Sequence, residues 1–304
     1  MSKRLSHILI LADLEGSSGC WSYQASSFLT AEWAQACLGL SRDLSSVVRA
    51  LFNAGVETVL IKDFHRTGYN ILTELIDPRA VIVSGYRRGP LPGIGSPDKA
   101  EAVMFLGMHA ASGSQGFLAH TLTSRIARLT VNDRLLAEVE LFAAALAPWN
   151  IRPIFFSGCP VACEQAAAAI ENLHCFAIDK SCGPDNFDAD TWRSSLAQAA
   201  VRALSNDQTK SYYPVGPFGA RVTLREGEAM AARLASRWKL QHSGAQIRIH
   251  ANQMDQLFRT LIRLCYLTPF TQKILPLALM ASNLRGLFGI LWARRRLNRM
   301  GGLS

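Results

Sequence analysis

Apolar positions in the first half of the chain come in short runs, each closed by polar residues. Residues 8–12 form a run of strand length that passes straight into Asp13, Glu15 and Gly16. Residues 30–53 then carry apolar positions at helical spacing, with Gly55 just past the end, where a left-handed cap falls. The β-branched run 57–62 follows and delivers Asp63 and His65 at its far end. This is a β-α-β unit, which favours a parallel pair with a right-handed crossover. Two further strands are predicted at 80–83 and 102–106, the second ending at Gly107-Met108-His109.

A Gly-containing loop at 112–116 leads to His120, and residues 126–136 read as a hairpin turning at Asn132-Asp133-Arg134. Glu138 opens an Ala/Leu-rich helix that runs to about 147, before Pro148. Strand and helix then alternate: strand 153–157, helix 161–171, strand 175–179, helix 188–204. Residues 219–250 look richer in strand, and a last regular helix is predicted at 253–266. The expected fold is α/β, a mostly parallel sheet with flanking helices plus a smaller β-rich and helical C-terminal part. The Pro-containing stretch 211–217 is the best boundary. It separates an α/β domain over 1–210 from a smaller subregion over 211–267, and a basic, apolar extension covers 268–304.

Composition changes this picture at two points. The 304 residues are 49% hydrophobic and 18% charged, a globular balance. A net charge of +9 suggests nucleic acid or a membrane. However, residues 268–304 hold Lys273, Arg285, Arg294, Arg295, Arg296 and Arg299 and no acid, so the body keeps only +3. Nucleic acid is therefore not an expected partner. Seven cysteines with no CxxC fit reduced, mostly buried thiols. The apolar run after Lys3-Arg4 is too short for a signal-peptide core, so a cytoplasmic protein is expected.

The candidate chemistry lies at the strand ends. Asp13, His65 and His109 each follow an apolar strand, and ligands of open α/β sheets gather at the carboxyl ends of the strands. Asp13 and Glu15, two apart on an extended segment, point to the same side, and two close carboxylates repel unless a proton or a cation intervenes. Each residue alone also has an ordinary reading. Asp-x-Glu suits a solvated loop, a single His suits core or surface, and a Glu in a first helical turn, such as Glu138, suits the helix dipole. As a set, imidazoles and carboxylates without thiolate suit zinc, or less selectively manganese or cobalt. Five ligands exceed the needs of one catalytic zinc and fit two metals sharing a carboxylate. His120 is then left over, able to act as base, acid or nucleophile, and it converges with His109 only if the intervening loop folds back.

In this order the motifs resemble the zinc D-aminopeptidase family of the dipeptide-transport-operon type. Asp13-Leu14-Glu15-Gly16-Ser17-Ser18-Gly19 is similar to the family's Asp-x-Glu-Gly-x-Ser-Gly opening. The likeness continues through Lys62-Asp63-Phe64-His65, residues 105–110, His120-Thr121, residues 131–134 and Glu138, and weakens after about residue 150. The resemblance implies that Asp13, Glu15, His65, His109 and Glu138 bind two zinc ions per subunit, with Asp13 bridging, and that His120 is the catalytic nucleophile. It also implies release of N-terminal D-residues, D-alanine above all, from short peptides by a ring-stacked homodecamer with an internal channel.

Phe64 and Arg66 beside His65, and Ala137 before Glu138, depart from the family pattern and leave side-chain preference open. Two other functions stay in play: a dinuclear hydrolase of another amide or ester, and a non-catalytic oligomeric binding or scaffold protein. The extension from about residue 268 is foreign to the family. Asn283 and Arg285 interrupt its apolar positions, which argues against a membrane span. Packing against the body or a neighbouring subunit, or a flexible tail, is preferred over an anionic membrane surface.

Overall fold

A computed structural model describes residues 5–89 and 91–301. In chain order its elements are β1 (His7–Ala12), α1 (Ala31–Asn53), β2 (Thr58–Asp63), β3 (Val81–Val83), β4 (Ala102–Met108), β5 (Ile126–Val131), β6 (Arg134–Leu135) and α2 (Glu138–Leu146). There follow β7 (Arg152–Gly158), α3 (Pro160–Ala169), β8 (His174–Ala177), α4 (Ala189–Ala203), β9 (Phe218–Leu224), α5 (Glu228–Trp238), β10 (Gln241–Ser243) and β11 (Gln246–Ala251). The chain closes with α6 (Met254–Tyr266), α7 (Pro269–Lys273) and α8 (Leu275–Arg299).

Two sheets form. Six parallel strands run in the order β3-β2-β1-β4-β7-β8, with the direction of winding reversing between β1 and β4. Because both faces are covered, β4 and all of β1 after His7 are apolar rather than alternating. Ile8, Ile10, Met104 and Leu106 pack towards α1, α4 and α8, whereas Leu9, Leu11, Val103 and Phe105 pack towards α2, α3 and the second sheet. The second sheet is antiparallel, in the order β10-β11-β9-β5-β6. Thus the stretch 211–267 shares a sheet with β5 and β6, which precede it by some 80 residues.

Local chemistry explains the element ends. The Thr30 side chain accepts a hydrogen bond from Trp33 N and starts α1, and Gly55 with φ 85° lets the chain turn out of it. The expected hairpin forms, but Arg134 belongs to β6 and pairs with Val131, so only Asn132 and Asp133, both with positive φ, make the turn. Residues 228–238 are the exception to the strand-rich expectation for 219–250. They form α5, which buries only Ala231, Leu234 and Ala235 and starts at Gly227 without a side-chain cap. So few and such small apolar residues leave little periodic signal.

Candidate metal centre

The site lies at the carboxyl ends of β1, β2 and β4, beside the reversal between β1 and β4, where open sheets leave a crevice. Asp13 immediately follows β1, His65 lies two residues beyond β2, and His109 directly follows β4. Glycines let the loops meet there. Gly107 has φ 74°, and a side chain on it would collide with the Asp13 carbonyl oxygen at 2.1 Å. Gly16 N donates to Gly107 O at 2.7 Å, and a Cβ on Gly16 would lie 2.2 Å from Met108 O.

The 110–120 loop does fold back. His120 N donates to Ala110 O at 3.0 Å, and Thr121 Oγ1 accepts from Ser112 N and donates to Leu136 O, each at 3.0 Å. These bonds bring His120 against His109, with ring centroids 3.7 Å apart, and both beside Glu138 at the start of α2. That helix start is itself fixed by Glu140, which accepts from Ala137 N, Arg134 and Tyr212 Oη.

All five predicted ligands are buried and converge, with His120 at their margin. Each imidazole has one nitrogen against a backbone carbonyl, an acceptor only, so that nitrogen carries the hydrogen. His65 Nε2 is 2.9 Å from Ser26 O, His109 Nδ1 is 3.1 Å from Ala110 O, and His120 Nδ1 is 2.9 Å from Leu118 O. The opposite nitrogens of His65 and His109 face carboxylates. His65 Nδ1 lies 3.2 Å from Asp13 Oδ1 and 3.0 Å from Glu15 Oε2. His109 Nε2 lies 3.2 Å from Asp13 Oδ2 and 3.6 Å from Glu138 Oε1, but neither contact is aligned as a hydrogen bond and the atom is buried without a partner. In a neutral ring these nitrogens present lone pairs to anions, which is tolerable only with a proton or a metal between them.

The spacing suits a metal. Two atoms each about 2.0–2.2 Å from a tetrahedral zinc stand about 3.3 Å apart. The two oxygens of Asp13 face different histidines, so one carboxylate serves both halves of the site. Among the described residues two groups have ligand atoms within 4.8 Å of one another: Asp13, Glu15 and His65, and His109, His120 and Glu138. His120 therefore also stands within reach of a metal.

Without metal, the pocket manages its charge with protons. Burial raises the Asp13 pKa, but His109 and His65 outweigh that and hold it well below the usual carboxylate value. Burial lowers His65, yet Glu15 and Asp13 carry it well above the ordinary histidine value. His109 is likewise opposed by burial and lifted by Glu138 and Asp13 to about 10. His120 goes the other way: burial and the adjacent His109 push its pKa down, so its ring stays neutral.

Several supporting residues carried no separate sequence signal. Asp63 accepts from His65 N at 3.0 Å and from Asn70, and Asn70 Nδ2 donates to His65 O at 2.7 Å, so the His65 backbone is held from both sides. The Asp-x-His spacing could have suggested this turn. The buried Asp43 pairs with the half-buried Arg193, and both bind Ser18 in the loop after Glu15. Lys180 donates to Ser17 O and Cys20 O in the same loop, its ammonium 4.3 Å from the centre of the Trp21 ring. Leu122 lies between Glu138, which accepts from its N–H, and Tyr266, whose hydroxyl donates to its carbonyl.

Comparison with known proteins bears on the family and the fold. The family model described as D-aminopeptidase matches residues 7–262. A curated D-aminopeptidase of Bacillus subtilis (strain 168) is 24% identical over 193 residues, 64% of this chain and 65% of the relative. That match spans just under two thirds of the relative's length. The solved structure "Zn-dependent D-aminopeptidase DppA from Bacillus subtilis, a self-compartmentalizing protease" superposes with a TM-score of 0.76 at 19% identity, covering 86% of this chain and 97% of that one. At such identity the likeness speaks for the fold.

Proposed function

The chain belongs to the D-aminopeptidase family, and on that premise we propose that it is a cytoplasmic zinc aminopeptidase releasing N-terminal D-residues, D-alanine among them, from short peptides. Asp13, Glu15, His65, His109 and Glu138 would hold two zinc ions per subunit, with Asp13 between them. The observation that carries this reading is the arrangement of His65 and His109, each anchored by a carbonyl on one nitrogen while the other faces buried carboxylates. Zinc bound there supplies Lewis acidity towards a peptide carbonyl and lowers the pKa of water.

The chain's own groups do the rest. Leu118 O fixes the His120 tautomer and leaves Nε2 free to take up or deliver a proton, or to attack the carbonyl carbon. Burial of the carboxylates keeps water from the site, and a substrate's free amine would contact the metal or a carboxylate there. The oligomer is proposed to be a homodecamer, in keeping with a self-compartmentalizing structural relative, with a peripheral membrane contact through residues 268–304.

The test is metal analysis of the purified protein followed by a screen of D- and L-aminoacyl dipeptides, amides and esters. Two zinc per subunit with preferential release of N-terminal D-alanine is expected. Turnover of esters or other amides alone would reassign the substrate, and full zinc with no turnover would point to a binding or scaffold role.

A further inference from the structure

The helix α8 lies beyond residue 262, where the family match ends. Its 25 residues are long and apolar enough, by length and composition, to cross a membrane. The flank containing Gly286, Gly289, Ile290, Ala293 and Leu297 is nevertheless buried. Trp292 stacks on Trp33 of α1 with centroids 6.3 Å apart, and Gly289 packs so closely on Phe28 that a Cβ would lie 2.3 Å from that ring. Asn283 Oδ1 accepts from Tyr86 N at 3.1 Å while its Nδ2 donates to Tyr86 O at 3.3 Å. Arg294 pairs with Glu74 at 2.7 Å. The helix is thus tied along its length to the body.

The outer flank has no such cover. Leu277, Met280, Leu284, Leu287, Phe288 and Leu291 form a continuous stripe, each between 43% and 62% exposed. Contiguous apolar surface of this kind marks an interaction site, unlike single exposed leucines. The same segment carries Lys273, Arg285, Arg295, Arg296 and Arg299, all exposed, with Arg285 5.0 Å over the Phe28 ring and Arg296 5.8 Å over the Trp292 ring, and residues 268–304 contain no acid. The body adds Arg87 and Arg88, which face Leu284 and Leu287 across an open groove of about 460 Å³ also lined by Tyr69 and Tyr86.

We propose that α8, with Arg87 and Arg88, lies flat on an anionic lipid bilayer, inserting its leucines and phenylalanine among the acyl chains and setting its cations against the headgroup phosphates. Charge decides this occupant. A second copy packed through α8 about a two-fold axis would bring the same cations together, and residues 268–304 hold no acid to pair them. An anionic bilayer satisfies the apolar stripe and the surrounding cations at once. The contacts of the inner flank keep the helix in the plane of the surface. This deepens the peripheral membrane contact already proposed and is independent of the peptidase reading, since none of these residues belongs to the metal site.

The full-length zinc-loaded protein should be sedimented with vesicles of phosphatidylcholine containing 30% phosphatidylserine, with pure phosphatidylcholine in parallel. Binding to the first and not to the second is expected. Leu284→Glu with Leu291→Glu, and separately Arg295→Glu with Arg296→Glu, should each weaken binding on the order of tenfold, with zinc content and peptide turnover unchanged. No binding to the anionic vesicles overturns the proposal. So does a soluble oligomer in analytical ultracentrifugation whose subunit number falls in the leucine pair variant, which would assign the stripe to another copy of the chain. Resistance of the membrane-bound protein to alkaline carbonate extraction would overturn the in-plane placement in favour of a span.

Discussion

His120 is where the structure and the proposed chemistry can be separated most sharply. Its ring stacks on His109 at 3.7 Å and its Nδ1 is fixed by Leu118 O. Its pKa is held below the ordinary histidine value by burial and by His109, so Nε2 is a free base at neutral pH. If it moves a proton in the rate-limiting step, His120→Ala should lower kcat about 10²–10⁴-fold. At about 1.36 kcal/mol per decade that is roughly 2.7–5.4 kcal/mol of transition-state stabilisation. If it forms a bond to the substrate, turnover should vanish. In both cases the proposed site should keep its two zinc ions per subunit, because none of the five proposed ligands is altered. The assay is D-alanine release from a D-alanyl dipeptide together with zinc stoichiometry on the same sample, with His120→Asn as a variant that keeps a polar planar side chain. A fall to one zinc per subunit with activity restored by excess metal would make His120 a ligand, which its place beside His109 and Glu138 permits. Activity within tenfold of the parent with full zinc would remove it from the mechanism.

Other consequences follow from the same geometry. Zinc uptake by metal-free protein at pH 7 should release about two protons, from His65 and His109, read by titration calorimetry in buffers of different ionisation enthalpy. The raised His109 pKa contributes stability to metal-free protein that is fully present below 6.5 and is lost as pH rises through about 10. The melting temperature of metal-free protein should therefore fall across that window, and zinc-loaded protein should show less of this fall. Gly107→Ala should cost at least about 1–3 kcal/mol and lower zinc retention, since its Cβ would press on Asp13 O and its φ is positive. Arg193→Ala, which strands the buried Asp43 carboxylate, should destabilise by about 3–5 kcal/mol in chemical denaturation.

What the sequence made legible follows from burial. β1 and β4 are covered on both faces, so they appear as unbroken apolar runs, and the polar residues at their ends stand out as Asp13 and His109. Periodicity marks α1 for the same reason: one broad face is buried against the sheet. Pairings between distant segments leave no such trace. Nothing at residues 126–135 indicates that β5 will meet β9 rather than end as an isolated hairpin, and the Asp43–Arg193 pair spans 150 residues. The convergence of His109 and His120 was a condition that the sequence could state but not fulfil. Thr121 fulfils it, by binding Ser112 on one side and Leu136 on the other.

The site also explains why the fold tolerates three buried carboxylates at one sheet edge. Asp13, Glu15 and Glu138 come from two different chain segments, and all three are buried. They are held inward by contacts that do not involve metal: Gly16 on Gly107, Ser18 on Asp43, and Leu122 on Glu138. The backbone therefore fixes the acidic centre, and His65 and His109 supply two protons in place of two cations. Metal and proton compete for the same nitrogens. On the proposed zinc site, affinity should therefore rise with pH up to about 10, where His109 gives up its proton, and loss of zinc should leave the fold intact with charged imidazoles in the site. A metal-free protein that unfolds cooperatively near neutral pH at the same temperature at which the zinc form is stable would contradict this, because the proton-filled site would then be unable to balance the carboxylates.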